Sequence, residues 1–460
     1  MPNSLRRSPA LGTYAPNRFL ITLGPEFALV NLPDLSPRRL DDDQLSVFFH
    51  EYVHYIQNVA TPAGYHGFRR ALDLWWLFRE TVTSDGISEG SDALAPERRK
   101  WVAQYLAIAD QFDGQLVPDW TDGFAPDTFE IEEVEVSSKD LPIGTGTSRL
   151  TSLTLLGTAT NVAGETGTFS YQLGEIGITE GIAYELDQIV AAGESGDHIP
   201  VYGAPPFPYQ VLRKFCEREC PGLDALGAVR LGCLSLLSND PAGALVDLCA
   251  IYSQEISTAA SPSALLKDIH RRSTEILSLT DAVIATDISD HEAAFQNAGS
   301  IGRSVAFLHD LFRQSLLRRK SNPFLELSAL GPDGNVDRAQ LHNLLASILP
   351  CTVLQQRIGS KHVIGRDILL DFHNQAPTLS DDLAVLHCAQ DFLFAHLGTN
   401  SVTPTHAAGP SMCPFYSCCN LEMRREAPTN CKKRPWRAAT WTGWSGDQCW
   451  YGVAVRLSMQ

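Results

Sequence analysis

The chain has 460 residues, with 36 Lys and Arg against 53 Asp and Glu, a formal net charge of −17. That balance argues against general binding to nucleic acid or to anionic membranes. A content of 44 % hydrophobic and 19 % charged residues excludes a fully disordered chain. The length suits about three units at roughly 150 residues each. No run approaches the roughly eighteen apolar residues of a membrane span, and the N-terminus lacks the apolar core of a secretion signal. The expectation is a cytoplasmic protein with reduced thiols.

Near the N-terminus, Arg18–Leu23 and Phe27–Leu32 are short apolar runs around Gly24-Pro25-Glu26 and read as a hairpin. Asp41 to Asp43 then cap a helix that Pro62-Ala63-Gly64 stops. A second helix is expected from about Gly67 to Thr83, followed by a polar connection over 84–100. Thr128–Ser137 alternates apolar and acidic residues, with Glu130, Glu132, Glu133 and Glu135 as the wet face of a strand. Further strand-like pieces fall at Leu153–Leu156 and Thr168–Leu173. The period then changes to that of a helix from about Glu175 to Ala192, closed by Gly193. Residues 205–400 are mostly helical in pattern. The last sixty residues lose that periodicity and gain cysteine and tryptophan.

One motif carries chemistry: His50-Glu51-Tyr52-Val53-His54, an H-E-x-x-H. On a helix, positions i and i+4 share a face one turn apart, so both imidazoles reach one ion and the glutamate flanks it as a general base. Zinc suits imidazole ligands and leaves an open fourth position for a water, whose pKa the ion lowers to about 7. The flanks Val47, Phe48, Phe49, Tyr52, Val53, Tyr55 and Ile56 are bulky and uncharged, so this helix is expected to be buried. A buried His-Glu-His trio needs compensation, which a metal supplies. A third ligand is available in Thr179-Glu180-Gly181-Ile182-Ala183-Tyr184-Glu185-Leu186-Asp187. Glu180 lies in the first turns of its helix, and Asp187 returns to the same face two turns later, where it could receive a hydrogen bond from a ligating histidine. Glu175 and Glu185 compete with Glu180 for the ligand role. Tyr184, one turn past Glu180, is either an oxyanion donor or a packed core residue.

HEYVH followed by TEGIAYELD resembles the gluzincin branch of the zincin metallopeptidases, in which a second helix carries E-G-x-A and a further acidic residue seven positions after the ligand. The resemblance covers about residues 17–195 and is specific at those two motifs. It implies His50, His54 and Glu180 as zinc ligands, Glu51 as general base and Asp187 as the trailing acid. The chain as a whole is expected to be α+β and predominantly α-helical, with small antiparallel strands in the catalytic region. The expected organisation is a zincin-like catalytic region over 1–200 with an insertion at about 84–165, a helical region over 201–400 and a Cys/Trp-rich module over 401–460. The implied activity is peptide-bond hydrolysis on peptide or protein substrates. The alternative is an inactive zincin-like binding or regulatory module. A di-iron site needs two Glu-x-x-His motifs and the chain has one.

Of eleven cysteines, Cys413, Cys418, Cys419, Cys431 and Cys449 fall in the last module. They read as ligands of a structural metal or iron–sulfur cluster, or as reduced thiols packed among tryptophans. Nearby Arg424, Arg425, Lys432, Lys433, Arg434 and Arg437 form a basic run, read as solvated surface or a docking patch for an acidic partner. His198, His270, His309, His362, His387 and His396 lack paired spacing and read as structural. His66 reads as a surface residue or a distant proton donor.

Overall fold

A computed structural model describes residues 12–16, 19–24, 42–120, 123–143, 146–192, 204–256, 259, 261–331, 334–347, 352–358, 364–370, 380–416, 419, 421–440 and 449–459. In chain order, the first elements are β1 (Gly12–Ala15), β2 (Leu20–Leu23), α1 (Asp42–Val59), α2 (Pro62–Arg79) and α3 (Pro96–Asp113). The strands β3 (Gln115–Asp119), β4 (Pro126–Ile143), β5 (Gly146–Asn161) and β6 (Thr166–Gln172) lead into α4 (Glu175–Ala192). Helices follow as α5 (Pro206–Tyr209), α6 (Val211–Glu219), α7 (Ala225–Ser235), α8 (Pro241–Glu255), α9 (Pro262–Phe295), α10 (Gly299–Ser321) and α11 (Arg338–Ser347). The chain ends with β7 (Thr352–Ile358), β8 (Ile364–Leu370), α12 (Ser380–Phe394), α13 (Glu422–Glu426), α14 (Pro428–Lys433) and α15 (Trp450–Ser458). The class is α+β and predominantly helical. Among the described residues no helix is long and apolar enough to cross a membrane.

Among the described residues the strands form two four-stranded sheets. One has the order β3-β6-β5-β4 and is antiparallel throughout. The other, β1-β2-β7-β8, is mixed, because β2 runs parallel to β7. This adds one parallel pair to the expected small antiparallel strands. A strand more than 300 residues downstream returns to the N-terminal hairpin, which local periodicity does not encode. The hairpin itself joins β2 to the segment before it, with Gly12 opposite Leu23 and Ala15 opposite Leu20. Phe27–Leu32 lies outside the described residues.

Helix α1 is apolar nearly all round, and Phe48, Phe49, Tyr52, Val53, Tyr55 and Ile56 are all buried. It ends where α2 begins. Pro62 sits at the first position of α2, where its missing N–H costs nothing, and the Thr61 hydroxyl accepts from the Gly64 N–H at 3.1 Å. The Pro-Ala-Gly triplet read as a stop is therefore also a start. A Cβ on Gly64 would lie 2.1 Å from the Asn58 carbonyl oxygen, so this tight corner requires glycine. The acidic run on β4 is exposed, as its alternation implies, while Phe129 on the same strand turns into the core. Helix α3 begins inside the stretch read as a polar connection. Its Pro96 start is a local signal that the charged composition obscures.

A buried ion pair locks the α1–α2 corner to α10. The fully buried Arg319 donates to Glu326 through Nη1 at 2.6 Å and Nη2 at 2.7 Å, to the Pro323 carbonyl at 2.8 Å and to the Ala60 carbonyl at 3.1 Å. Removing one partner strands a charge in the core, whereas replacing both with apolar residues does not. Glu326→Ala is expected to cost about 3–5 kcal/mol in urea unfolding, and Arg319→Met with Glu326→Leu to recover most of that loss.

Candidate metal centre

Helices α1 and α4 pack directly against each other, and their meeting faces carry both sequence motifs. Gly181 makes room for α6 beside α4, since a Cβ there would lie 2.5 Å from Leu212 Cβ. On the other side, His50 Nε2, His54 Nε2 and Glu180 Oε2 form a triangle whose three edges are each 3.3 Å. Three ligand atoms around a tetrahedral zinc with bonds of about 2.0–2.1 Å lie about 3.3–3.4 Å apart. Among the described residues, this is the group of His, Cys, Asp and Glu side chains that converges closely enough to hold an ion.

The donor chemistry fits a cation as well as the spacing does. Glu180 Oε2 is buried and has no hydrogen-bond partner among the described residues, although two imidazole nitrogens face it. Glu51, Glu180 and Asp187 surround the two imidazoles with carboxylates. Burial opposes charge on His50, but the facing carboxylates of Asp187, Glu180 and Glu51 outweigh it, pushing its pKa up to about 10. Burial also opposes ionisation of Glu180, yet His54 and His50 hold its carboxyl well below the usual range. Without a metal, a proton on His50 stands in for the missing positive charge. Burial raises the pKa of Glu51, as expected for a carboxyl in an apolar wall.

Asp187 takes the expected position, with Oδ2 3.6 Å from His50 Nδ1, and it also accepts a hydrogen bond from the Ser46 hydroxyl. The corresponding partner of His54 is Gln57, whose Oε1 accepts from Nδ1 at 3.2 Å while its Nε2 donates to the Thr179 carbonyl at 3.4 Å. The sequence reading missed Gln57. Its position three residues after His54, on the same helix face, is the local signal that could have found it. Neither competing carboxylate reaches the triangle: Glu185 is 3.7 Å from Arg213 Nη1, and Glu175 interacts with Arg70 and Asp113. His66 also lies elsewhere, 2.8 Å from Asn239 Oδ1.

The walls come from segments that carry no motif. Asn58 donates to the Tyr14 hydroxyl at 2.8 Å and to the Pro16 carbonyl at 2.7 Å, pinning the β1–β2 hairpin to α1. The Tyr14 ring lies nearly parallel to that of His54, with centroids 6.4 Å apart. β1 runs so close to the site that a Cβ on Gly12 would lie 2.9 Å from Glu51 Cγ. On the far side, Phe207 packs among Phe129, Phe169 and Tyr171, and two residues later Tyr209 has its ring 6.0 Å from that of His50. Burial, then the charges of Glu180, Glu51 and Asp187, keep the Tyr209 hydroxyl protonated. Tyr184 packs beside Tyr209, 5.7 Å between ring centres.

Gln57→Ala and Asp187→Ala should each weaken zinc affinity by about 10–100-fold, because each frees one imidazole to rotate. Competition with a chelating indicator measures this, and unchanged affinity in both variants would remove their orienting role. Compared with known proteins, the chain matches no family model, no curated protein and no solved structure.

Proposed function

We propose that this chain is a zinc-dependent hydrolase, a metallopeptidase cleaving amide bonds in peptide or protein substrates. The observation that carries the reading is the equal-edged triangle of His50, His54 and Glu180 with Glu51 buried beside it. The resemblance of HEYVH and TEGIAYELD to the gluzincins supports the same assignment. When bound, zinc supplies Lewis acidity toward a substrate carbonyl and toward water.

The protein's own groups supply the rest. Glu51 takes the proton of the attacking water and passes it to the leaving amine, a role suited to a carboxyl whose pKa burial raises. Asp187 and Gln57 hold the two imidazoles in their ligating orientation through the ring nitrogens that face away from the triangle. Tyr209 is the donor placed to hydrogen-bond the developing oxyanion. In the sheet order of the described residues β1 is an edge strand, with β2 on one side. An extended peptide added to its outer edge would carry its backbone past Glu51. A coincidental motif would not explain why polar groups from α1, α4, β1 and the segment after Phe207 all converge here.

Glu51→Gln should lower kcat on a peptide library by roughly 10²–10⁴-fold while zinc stays bound. Equal turnover in this variant and the wild type would leave only a binding module. Tyr209→Phe should lower kcat by about 10²–10³-fold with KM little changed. A change confined to KM would instead place Tyr209 in substrate binding.

A further inference from the structure

The C-terminal module presents a surface that is independent of the first site. Among the described residues no three of its thiols lie within 4.8 Å of one another, and Cys418 lies outside those residues. Its distinctive property is charge. Residues 421–440 hold six basic side chains against Glu422 and Glu426, a net charge of +4 in a chain of −17, so the rest of the chain sums to −21. Apolar residues anchor the backbone here: Cys431, Pro435, Trp436 and Ala438 are buried, while Arg425, Lys432, Lys433, Arg434 and Arg437 are exposed. Lys432 and Lys433 close α14, and a 3-10 turn over Pro435–Thr440 follows. The Arg437 N–H donates to the Arg434 carbonyl at 3.1 Å. Side chains three residues apart on such a turn eclipse, so these two arginines share one side.

A neighbouring length of chain fixes one flank. The Ser411 N–H donates to the Lys433 carbonyl at 3.3 Å and the Cys413 N–H to the Cys431 carbonyl at 2.9 Å, a register that brings Met412 alongside Lys432. Met412 is exposed. The Tyr416 ring steadies two of the cations, with Lys432 Nζ 5.3 Å and Arg424 Cζ 4.9 Å from its centre. Elsewhere in this acidic chain, surface cations meet carboxylates: Arg213 meets Glu217 at 2.7 Å, Arg303 meets Asp382 at 2.7 Å and Arg313 meets Glu292 at 2.9 Å. Among the described residues none of Arg425, Lys432, Lys433, Arg434 and Arg437 forms an ion pair, although the exposed Glu426 lies between them in the sequence. Like charges held together on one surface repel, and an anionic partner relieves that repulsion.

We propose that this surface docks an acidic polypeptide segment of another protein, its carboxylates on Lys432, Lys433, Arg434 and Arg437 and an apolar side chain on Met412 and Tyr416. The charge pattern selects a short anion over a long one. Duplex nucleic acid carries a charge every ~1.7 Å and continues past the surface into the field of the acidic remainder. A membrane is broader still and meets the same field. α14 and the turn after it span at most about 20 Å. That length suits an extended segment of roughly five or six residues at about 3.3–3.6 Å each. The apolar contact offered beside the charges matches a leucine-like side chain, which a phosphate backbone lacks.

The test uses full-length Glu51→Gln protein, so that hydrolysis cannot consume the probe, and a fluorescein-labelled peptide of about twelve residues in which Leu interrupts runs of Glu. Fluorescence anisotropy should show binding at low salt that weakens as salt is raised. Lys432→Glu/Lys433→Glu/Arg434→Glu should weaken it at least about tenfold, roughly the sum of three exposed charge pairs. Lys100→Glu/Lys139→Glu, which alters exposed cations elsewhere, should leave it unchanged. Met412→Ser should weaken the Leu-bearing peptide and spare one with Ser in place of Leu. Should the triple variant fold poorly, amide exchange without it answers the same question, because the peptide should slow exchange over residues 424–437. No binding at low salt, equal weakening by the control pair, no effect of Met412→Ser, or unchanged exchange would each overturn the proposal. So would tighter binding of duplex DNA of matched charge or of phosphatidylserine vesicles, which would assign the surface to a polyanion or a membrane. Self-association abolished by the triple variant would overturn it in favour of a second copy. None of these outcomes depends on metal or turnover, so this proposal and the reading of the first site fail separately.

Discussion

Everything near the first site follows from the packing of α1 on α4. Both helices bury one face in the core, and at their contact two imidazoles and a carboxylate meet with 3.3 Å edges. Polar ligands held this close in a low-dielectric wall are costly unless a positive charge joins them. Without a metal, the elevated pKa of His50 meets that need with a proton. A metal ion meets it more completely, because it satisfies all three ligand atoms at once.

The same contact explains the supporting residues. Imidazoles bind a metal in a fixed orientation only if their other nitrogens are held. Asp187 faces that nitrogen of His50 at 3.6 Å from α4, and Gln57 meets that of His54 at 3.2 Å from α1 itself. Asn58, one residue further along α1, ties down the β1–β2 hairpin, which brings Gly12 against Glu51. One short stretch of α1 thus presents His50, Glu51, His54 and Gln57 to the site together with Asn58, the anchor of the neighbouring strand.

Much of the first site was legible locally. The i, i+4 spacing of His50 and His54, the buried flanks of α1 and the E-G-x-A pattern on α4 are properties of single helices, so periodicity and residue type are enough to read them. The helical class and the exposed acidic face of β4 follow in the same way. Choosing Glu180 over Glu175 and Glu185 required the rotation of α4 against α1, which depends on Gly181 admitting Leu212 of α6. Tyr14, Tyr209 and Gly12 line the site through contacts across about 40 to 160 residues of chain, and β7 joins β2 from even further away. Such pairings are set by the shape and burial of whole layers. The amino-acid order alone determined which groups could bind a metal, and tertiary packing decided which of them meet.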